Sequence, residues 1–194
     1  MIDWLISLDY RLFSLINASH APWANEVMVA LSNKVNWVPF YLLMGALLVR
    51  KMGWARAGWA ALTIALTIIL SDIVSVHLFK NVFERLRPSH DPLLAHSIRL
   101  LADADGNPIR GGLYGFVSSH AVNHFALAVL FSFFLSKKTW HTVLFFIWAT
   151  AIGYSRVYLG MHFPGDVLVG GLLGMVMAGL AILVWRKTGG TVRV

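Results

Sequence analysis

The sequence contains no cysteine and few charged residues. Of its 194 residues, 13% are charged and 58% are hydrophobic, and the mean hydropathy is +0.68. The absence of cysteine excludes disulfide bonds and thiolate metal sites. The scarcity of charge excludes an ordinary soluble domain. We therefore expect an all-α integral membrane protein, in which residues 1–194 form a single domain of a few spanning helices of about 20 residues each.

Acidic residues are scarcer than basic ones, nine against 16, which gives a formal net charge of +7. A basic chain can bind nucleic acid. In a membrane protein, however, an excess of Lys and Arg usually anchors cytoplasmic loops and meets anionic lipid. We therefore predict that the partners of this chain are the membrane and a lipid substrate, and that it does not bind nucleic acid.

The first segment, residues 1–17, holds three charges in an apolar run too short to carry them cheaply across a bilayer. Leu5, Leu8, Leu12 and Ile16 fall on one helical face. This pattern is typical of a helix that lies in the membrane interface, and the alternative is a shortened spanning helix. The segment also lacks the basic start of a cleavable signal peptide.

Five later apolar segments predict spanning helices. They cover residues 37–49, 58–79, 119–135, 140–156 and 164–185. The predicted fold is thus a bundle of five transmembrane helices with an N-terminal interfacial helix, or of six if the first segment also spans. Proline and glycine interrupt the long connection between the second and third spans, and a connection of this kind is typically functional or disordered.

With five spans, one side of the membrane receives only basic residues among the charged ones. These are Arg50, Lys51, Arg56, Lys137, Lys138, Arg186, Lys187 and Arg193. The positive-inside rule makes that side cytoplasmic. All acidic residues and the long connection then face the other side. We therefore predict a bacterial inner-membrane protein whose site faces the periplasm.

Residues 155–166, Ser-Arg-Val-Tyr-Leu-Gly-Met-His-Phe-Pro-Gly-Asp, place a cation, an imidazole and a carboxylate between two apolar runs. A carboxylate four residues after a histidine can accept a hydrogen bond from one ring nitrogen and leave the other as a base or nucleophile. This pattern makes Asp166 the expected partner of His162. Arg156 adds a permanently charged fork suited to phosphate or carboxylate. The plainer alternative is a loop with an ordinary ion pair.

Two further segments end on the same side of the membrane. Lys80 and Arg87 are seven residues apart, which on a helix would put both on one face, where they could clamp an oxyanion. Ser118 or Ser119 would cap a helix whose free N–H groups point at an anion, and His120 in its first turn would donate a proton to a leaving oxygen. The alternatives are a snorkelling cluster and a capped helix with an interfacial histidine.

Taken together, the three segments resemble the motifs of the lipid phosphatase branch of the type 2 phosphatidic acid phosphatase superfamily, relatives of the vanadium haloperoxidases. The family motifs are K-x6-RP, PSGH and SR-x5-H-x3-D. The first and third match completely, from Lys80 and from Ser155 onward, and the second matches at Ser118 and His120. Val117 stands where the family usually has Pro, and Ser119 where it usually has Gly.

The resemblance implies a role for each matching residue. His162 would attack phosphorus and form a phosphohistidine, Asp166 would orient and support it, and His120 would protonate the leaving group. The phosphoryl oxygens would be held by Lys80, Arg87, Arg156 and Ser118. Ser119 departs from the family pattern, so the resemblance assigns it no role; it could add a further hydroxyl donor for phosphate or alter how the backbone approaches it. No metal or other cofactor would be required. These roles agree with the residue types, because phosphoryl transfer depends mainly on positioning and on neutralising the phosphoryl oxygens.

Three other ionisable residues need an explanation. His124 follows His120 by four residues, a spacing that allows two metal ligands on one helix face, but no acidic residue or cysteine is near in the sequence. We therefore expect His124 to line the pocket or to be hydrogen-bonded. Asp72 and His77 lie in a predicted span and are expected to support the site.

We therefore predict an enzyme, a metal-independent phosphatase of a membrane lipid. The candidate substrates are undecaprenyl diphosphate, phosphatidylglycerol phosphate, phosphatidic acid and a lipid A phosphate. A lipid phosphotransferase could use the same residues, and a proton-coupled transporter could use the ionisable groups as a relay. The gathering of charge at one face, away from the membrane midplane, disfavours the transporter. The motifs leave open both the lipid and the oligomeric state.

Overall fold

The computed structural model describes residues 2–102, 107–136 and 138–188, and these residues form a helical bundle. The helices are α1 (Ile2–Ala18), α2 (Pro22–Ser32), α3 (Val38–Met52), α4 (Trp54–Val74), α5 (Asn81–Phe83), α6 (Ser119–Leu135), α7 (Thr139–Tyr158) and α8 (Pro164–Lys187). A π-helical turn joins α4 to α5, and short 3-10 turns occur at Lys34–Trp37, Pro88–His90 and Pro92–Leu94. Within the described ranges there is no strand, only two isolated β-bridges. The all-α prediction is confirmed.

Helix α6 lies at the centre of the bundle, packed against α4, α7 and α8. Its contact with α8 is close because α8 presents glycine there. A Cβ on Gly174 would lie 2.1 Å from the carbonyl oxygen of Val122, and one on Gly170 would lie 2.8 Å from that of Ser118. Small residues allow two helix backbones to approach in this way. The approach brings the first turn of α6 against the first turn of α8.

The outer surface of the bundle is apolar. Leu66 and Ile69 on α4 are exposed, as are Leu172 and Leu180 on α8. Two continuous helical segments, Trp54–Phe83 and Pro164–Lys187, are long and apolar enough to cross a membrane, and α6 is a shorter apolar helix. A lipid-facing surface of this kind is expected of a membrane protein. The number of spans, five or six, stays a prediction.

The predicted helix limits agree closely with the observed ones from α6 onward. Residues 119–135 form α6 as expected, α7 extends the predicted 140–156 to Thr139–Tyr158, and α8 extends the predicted 164–185 to Pro164–Lys187. Before α3, the chain forms a further helix, α2, which a 3-10 turn after Ser32 separates from α3. The structure thus contains one short helix that none of the predicted segments includes.

The two ends of the bundle differ in charge. One end, here called the basic end, carries exposed cations: Arg50, Lys51, Arg56, Lys138, Arg186 and Lys187. The Lys51 ammonium donates to the carbonyl of Leu135 at 3.1 Å, which ties the end of α3 to the end of α6. Lys137 and Arg193 lie outside the described residues. The three motif segments lie at the opposite end, here called the motif end.

Helix α1 lies against the motif end. Phe13 and Asn17 are buried, and the Phe13 ring packs on Phe163, with 5.3 Å between ring centroids. Leu5, Leu8 and Leu12, together on the face that the sequence predicts to be apolar, are exposed. An amphipathic helix with an exposed apolar face is typical of the membrane interface. The interfacial placement of α1 remains a prediction.

Candidate active site

The three motif segments, residues 80–88, 117–120 and 155–166, meet at the motif end. The backbone N–H of Ser118, just before α6, donates to the carbonyl of Asp166 in the first turn of α8 at 3.0 Å. The close packing of α6 on α8 makes this bond possible. Residues distant in sequence are therefore brought into one site.

His162 lies in the short connection between α7 and α8 and is 1% exposed. Its Nε2 is 3.1 Å from Nη1 of Arg87, and its Nδ1 is 3.5 Å from Oδ2 of Asp166. Because a guanidinium can only donate, Nε2 must accept, and the ring proton sits on Nδ1, facing the carboxylate. The predicted pair of His162 and Asp166 is thus brought together, although 3.5 Å is longer than a hydrogen bond.

The surroundings of His162 keep its imidazole neutral. Burial lowers the pKa of His162 well below its usual value of 6.5, and the positive charges of Arg87, Arg156 and Lys80 lower that pKa further. At neutral pH the ring therefore carries no charge. A neutral ring with its proton on Nδ1 has its lone pair on Nε2, which is the form needed for nucleophilic attack.

Asp166 has no exposed surface and two strong partners. Its Oδ2 accepts from the backbone N–H of Phe163 at 3.0 Å, and its Oδ1 accepts from Nη1 of Arg85 at 2.7 Å. A buried carboxylate needs such partners to remain charged. The contact with Phe163 also caps the first turn of α8, so that the carboxylate is fixed by the helix start itself.

Arg87 reaches the site from a loop. The prediction that Lys80 and Arg87 share a helical face is wrong, because the helix ends at Phe83 and Glu84 adopts the left-handed conformation with φ of 46°. Arg87 itself is extended, with φ of −70° and ψ of 154°, as expected for a residue that precedes proline. The two cations still lie close enough to repel each other.

The Arg87 side chain is held on several sides. Its Nε donates to the carbonyl of Tyr114 at 3.1 Å and its Nη1 to that of Met161 at 3.4 Å. A Cβ on Gly115 would lie 3.1 Å from Cγ of Arg87 and 3.1 Å from Oδ2 of Asp166. Glycine at this position therefore lets the backbone pass between the cation and the carboxylate.

Lys80 and Ser119 bind each other. The Lys80 ammonium donates to the Ser119 hydroxyl at 2.7 Å, and that hydroxyl also lies 2.9 Å from the hydroxyl of Ser75. One turn farther along α6, Asn123 donates to Oδ1 of Asp72 at 3.0 Å. Ser119 therefore contacts the Lys80 cation directly, and Asp72 links α4 to α6 one turn farther along.

His120 lies in the first turn of α6 and stacks on His124, with 6.1 Å between ring centroids. His124 donates from Nδ1 to the carbonyl of His120 at 2.7 Å and accepts at Nε2 from the hydroxyl of Tyr41 at 3.2 Å. It is thus hydrogen-bonded at both nitrogens, as expected. His77 is exposed. The described part of the chain contains no group of three His, Cys, Asp or Glu residues that could hold a metal ion.

Ser118 and Arg156 complete the predicted set. The buried Ser118 caps α6, its hydroxyl accepting from the N–H of Ala121 at 3.4 Å. Nη1 of Arg156 donates to the hydroxyl of Ser32, at the end of α2. Nε of Arg156 is buried and has no hydrogen-bond partner among the described residues. A phosphoryl oxygen would satisfy this donor.

Sequence reasoning missed two residues at the site, Arg85 and Asp9. Arg85 occupies one of the six unspecified positions of the first motif and binds Asp166. Its Nη2 also pairs with Oδ2 of Asp9, on α1, at 2.7 Å. The available signal was the charge of Asp9 within a largely apolar segment, since such a residue is a candidate for function by default.

Comparisons with known proteins identify the family of this chain. The family model described as the PAP2 superfamily matches residues 58–189. A lipid A 4'-phosphatase of Bacteroides thetaiotaomicron is 35% identical over 175 residues, which cover 90% of this chain and 75% of the relative. An undecaprenyl-diphosphatase of Sulfolobus acidocaldarius is 30% identical over 184 residues, covering 91% of this chain and 78% of that relative.

The fold also matches a solved structure, the crystal structure of a transmembrane PAP2-type phosphatidylglycerolphosphate phosphatase from Bacillus subtilis. The TM-score is 0.70 and the identity 23%, and the match covers 94% of this chain and 87% of that one. These likenesses, with the apolar helices, make this chain a membrane protein and a hydrolase of phosphoester or diphosphate bonds. The chain belongs to the PAP2 superfamily.

Proposed function

We propose that this protein removes a terminal phosphate from a membrane lipid through a phosphohistidine formed on His162. The observation that carries the proposal is the buried, neutral imidazole whose Nε2 lies 3.1 Å from the Arg87 guanidinium. A cation beside the nucleophilic nitrogen would draw a phosphoryl oxygen to it and bring phosphorus within reach. Asp166, on the Nδ1 side, would stabilise the positive charge that the ring acquires on attack.

The reaction would proceed in two steps. In the first, a bond forms from His162 Nε2 to phosphorus and the bond to the lipid oxygen breaks, with the His120 proton passing to that oxygen. In the second, water attacks phosphorus, the bond to Nε2 breaks, and His120 takes a proton from the water. Lys80, Arg87 and Arg156 would neutralise the phosphoryl oxygens in both steps. The roles of Ser118 and Ser119 would be to cap α6 and to orient Lys80.

The surroundings of the site suit a lipid. An apolar cavity of about 340 Å³ lies between α1, α6, α7 and α8, and its lining includes Ile16, Tyr154, Pro164 and Leu168. Pro164 is two residues from Asp166, so a chain in this cavity would have its headgroup near the site. Orientation follows the charge: we propose that the basic end faces the cytoplasm and the motif end the periplasm of a bacterial inner membrane.

A lipid A phosphate is the first candidate substrate, because the lipid A 4'-phosphatase relative is 35% identical across 90% of this chain. Undecaprenyl diphosphate is the second, supported by the relative that is 30% identical across 91% of the chain. Phosphatidylglycerol phosphate and phosphatidic acid complete the set that a phosphohistidine site could process.

A phosphate-release panel tests the proposal. The purified protein in detergent is given each of the four lipids, with His162→Ala as the blank, and free phosphate and dephosphorylated lipid are measured together. We expect release from at least one lipid, inhibition by vanadate and no inhibition by EDTA. Equal amounts of both products indicate hydrolysis, whereas dephosphorylated lipid without free phosphate indicates transfer to another acceptor. Full release by His162→Ala would overturn the proposal.

A further inference from the structure

Helix α1 has one face that contacts the rest of the protein and one face that is exposed and apolar. Asp9, Tyr10, Phe13 and Asn17 share one face and contact the loops that carry the motifs, whereas the opposite apolar face is exposed. The hydroxyl of Tyr10 donates to Asp91, and the Asn17 amide donates to the carbonyl of Tyr158 at 2.9 Å. This helix is therefore docked on the site at several points, and Asp9 is the point nearest the reacting groups.

Asp9 reaches the proposed nucleophile through a chain of ionic contacts. Its Oδ2 lies 2.7 Å from Nη2 of Arg85, and Nη1 of the same guanidinium lies 2.7 Å from Oδ1 of Asp166. The other oxygen of Asp166 faces Nδ1 of His162 at 3.5 Å. One guanidinium thus bridges two carboxylates, one on the N-terminal helix and one beside the nucleophile.

Further contacts hold this ionic bridge of Asp9, Arg85 and Asp166 in place. The Arg85 guanidinium lies over the ring of Phe163, with 4.1 Å from Cζ to the ring centroid. The second oxygen of Asp9, Oδ1, accepts from the backbone N–H of Gly165 at 2.7 Å, in the first turn of α8. A Cβ on Gly165 would lie 2.9 Å from Oδ2 of Asp9, so glycine is what permits the contact. Both ends of the bridge are therefore fixed to the same helix start.

We propose that Asp9 and Arg85 are positioning residues that set the orientation and the charge of the Asp166 carboxylate during phosphoryl transfer. The inference rests on the proposed function, since it concerns the same nucleophile. Arg85 favours the ionised form of the buried Asp166 and so opposes the effect of burial, because a buried carboxylate without a cation tends to take up a proton. Asp9 shares the Arg85 charge, which leaves Asp166 negative enough to stabilise the imidazolium-like ring of phosphorylated His162.

Other charged groups also face Asp166 and must be held constant. Arg87 approaches from the loop and acts on both Asp166 and His162. Tyr10 donates to Asp91 and lies within electrostatic reach of both Arg85 and Asp9. Arg156 on α7 acts on His162, and His162 in turn acts on His120 on α6. None of these residues is altered in the test, so a change in pH dependence would belong to the bridge.

The sign of each effect follows from the charges. The acid limb is the low-pH side of the plot of kcat against pH, where activity is lost as Asp166 takes up a proton. Arg85→Gln removes the cation, so Asp166 keeps its proton to higher pH and the acid limb shifts to higher pH. Asp9→Asn removes an anion but keeps an oxygen for the Gly165 N–H, so the acid limb moves down. In the double variant the loss of the neighbouring anion offsets part of the loss of the cation. Its acid limb should therefore lie between those of Arg85→Gln and wild type.

The test measures kcat against pH on one saturating lipid substrate that the wild type hydrolyses, for the two single variants and the double variant. We expect the Arg85→Gln acid limb to rise by at least about one pH unit, the change usual for an opposite charge at this distance. Its kcat should fall roughly tenfold or more, as for other residues that orient a reacting group. Arg85→Lys should return most of the pH shift.

Matched controls are available on α1. Asp3→Asn and Arg11→Gln remove one charge of each sign at exposed positions of the same helix and should leave the profile unchanged. Thermal unfolding identifies variants that fail to fold. If Arg85→Gln is one of them, the single variants Arg85→Lys and Asp9→Asn are compared with wild type instead. Acid limbs that stay at the wild-type pH in folded variants, or a double variant with a higher acid limb than Arg85→Gln, would overturn the inference. Absence of phosphate release by the wild type would instead overturn the proposed function.

Discussion

Cations gather at both ends of the bundle, but the two ends hold them differently. At the basic end they are exposed, and their contacts are single ones, such as Lys51 on the carbonyl of Leu135 and Arg186 over the ring of Phe133. At the motif end Arg87 is buried, and its guanidinium contacts two backbone carbonyls and an imidazole. Arg85, half-buried, bridges two carboxylates.

This difference in burial distinguishes cations that anchor the protein in the membrane from cations that are positioned to bind an anion. An exposed cation at a helix end keeps its hydration and needs no fixed partner, which is sufficient for topology and for contact with anionic lipid. A buried cation loses its hydration and persists only where partners fix it, so its direction is specified. The motif end is therefore preorganised for an anion, whereas the basic end is not. Matched substitutions at the two ends test this contrast.

The largest contrast is expected between two histidines. His162→Ala removes the proposed nucleophile and should lower phosphate release at least about a thousandfold, because no other side chain can form the covalent intermediate. His141→Ala, at the basic end, should stay within about twofold of wild type. Both variants should remain folded by thermal unfolding. Comparable losses of phosphate release in the two variants would show that His162 has no special role in catalysis.

Two arginines give the next contrast. Arg87→Gln removes a buried charge beside the nucleophile and should lower kcat/KM about a hundredfold to a thousandfold, the usual effect of losing one preorganised donor to a transition-state charge. Arg50→Gln removes an exposed charge at the basic end and should change kcat/KM by no more than about twofold. Steady-state kinetics on one lipid distinguish the two. A similar, small effect at both positions would contradict the burial argument.

A glycine pair sharpens the contrast within the motif end itself. Gly115→Ala would push a methyl group to 3.1 Å from both Arg87 and Asp166 and should lower kcat about tenfold to a hundredfold by displacing them. Gly112→Ala, in the same loop, meets no atom within 4 Å and should be close to neutral. Equal effects of the two substitutions would mean that general loop strain, and not the close approach, is responsible.

The smallest effect is a pH dependence of stability. Because burial and neighbouring cations lower the pKa of His162 below 6.5, the unfolded chain binds a proton there before the folded one does. The free energy of unfolding should therefore fall as the pH drops below about 6.5, by up to about 1.4 kcal/mol per pH unit for this group. His162→Gln should lose that part of the slope in thermal unfolding between pH 7 and 5. An unchanged slope would contradict the assignment.

Much of the fold could be predicted because hydrophobic periodicity and helix-breaking residues act locally. Ser118 and Pro164 mark the starts of α6 and α8 through capping and a fixed φ, and both helices begin where the sequence indicates. The prediction that Lys80 and Arg87 share a helical face is wrong for a local reason too. The left-handed Glu84 ends the helix, and a glutamate carries no strong signal for that conformation.

The sequence predicts site residues only where they belong to a motif with a fixed spacing. His162, Asp166 and Arg156 lie within 11 residues of one another in the sequence, and their proximity follows from one short turn. Arg85 and Asp9 are 76 residues apart, and their contact depends on how α1 docks on the bundle. No periodicity specifies such docking, which is decided by packing between distant helices. The ionic bridge therefore emerged only from the three-dimensional arrangement.

The central claim is that His162 carries the phosphoryl group, and trapping the intermediate tests it most directly. The protein is mixed with a lipid labelled in its terminal phosphate, quenched in base within one turnover, and digested for peptide analysis. We predict that the label is on the peptide containing His162 and that it disappears in acid, as phosphohistidine does. Rapid turnover with no labelled protein at any time, or label on another residue, would contradict the account.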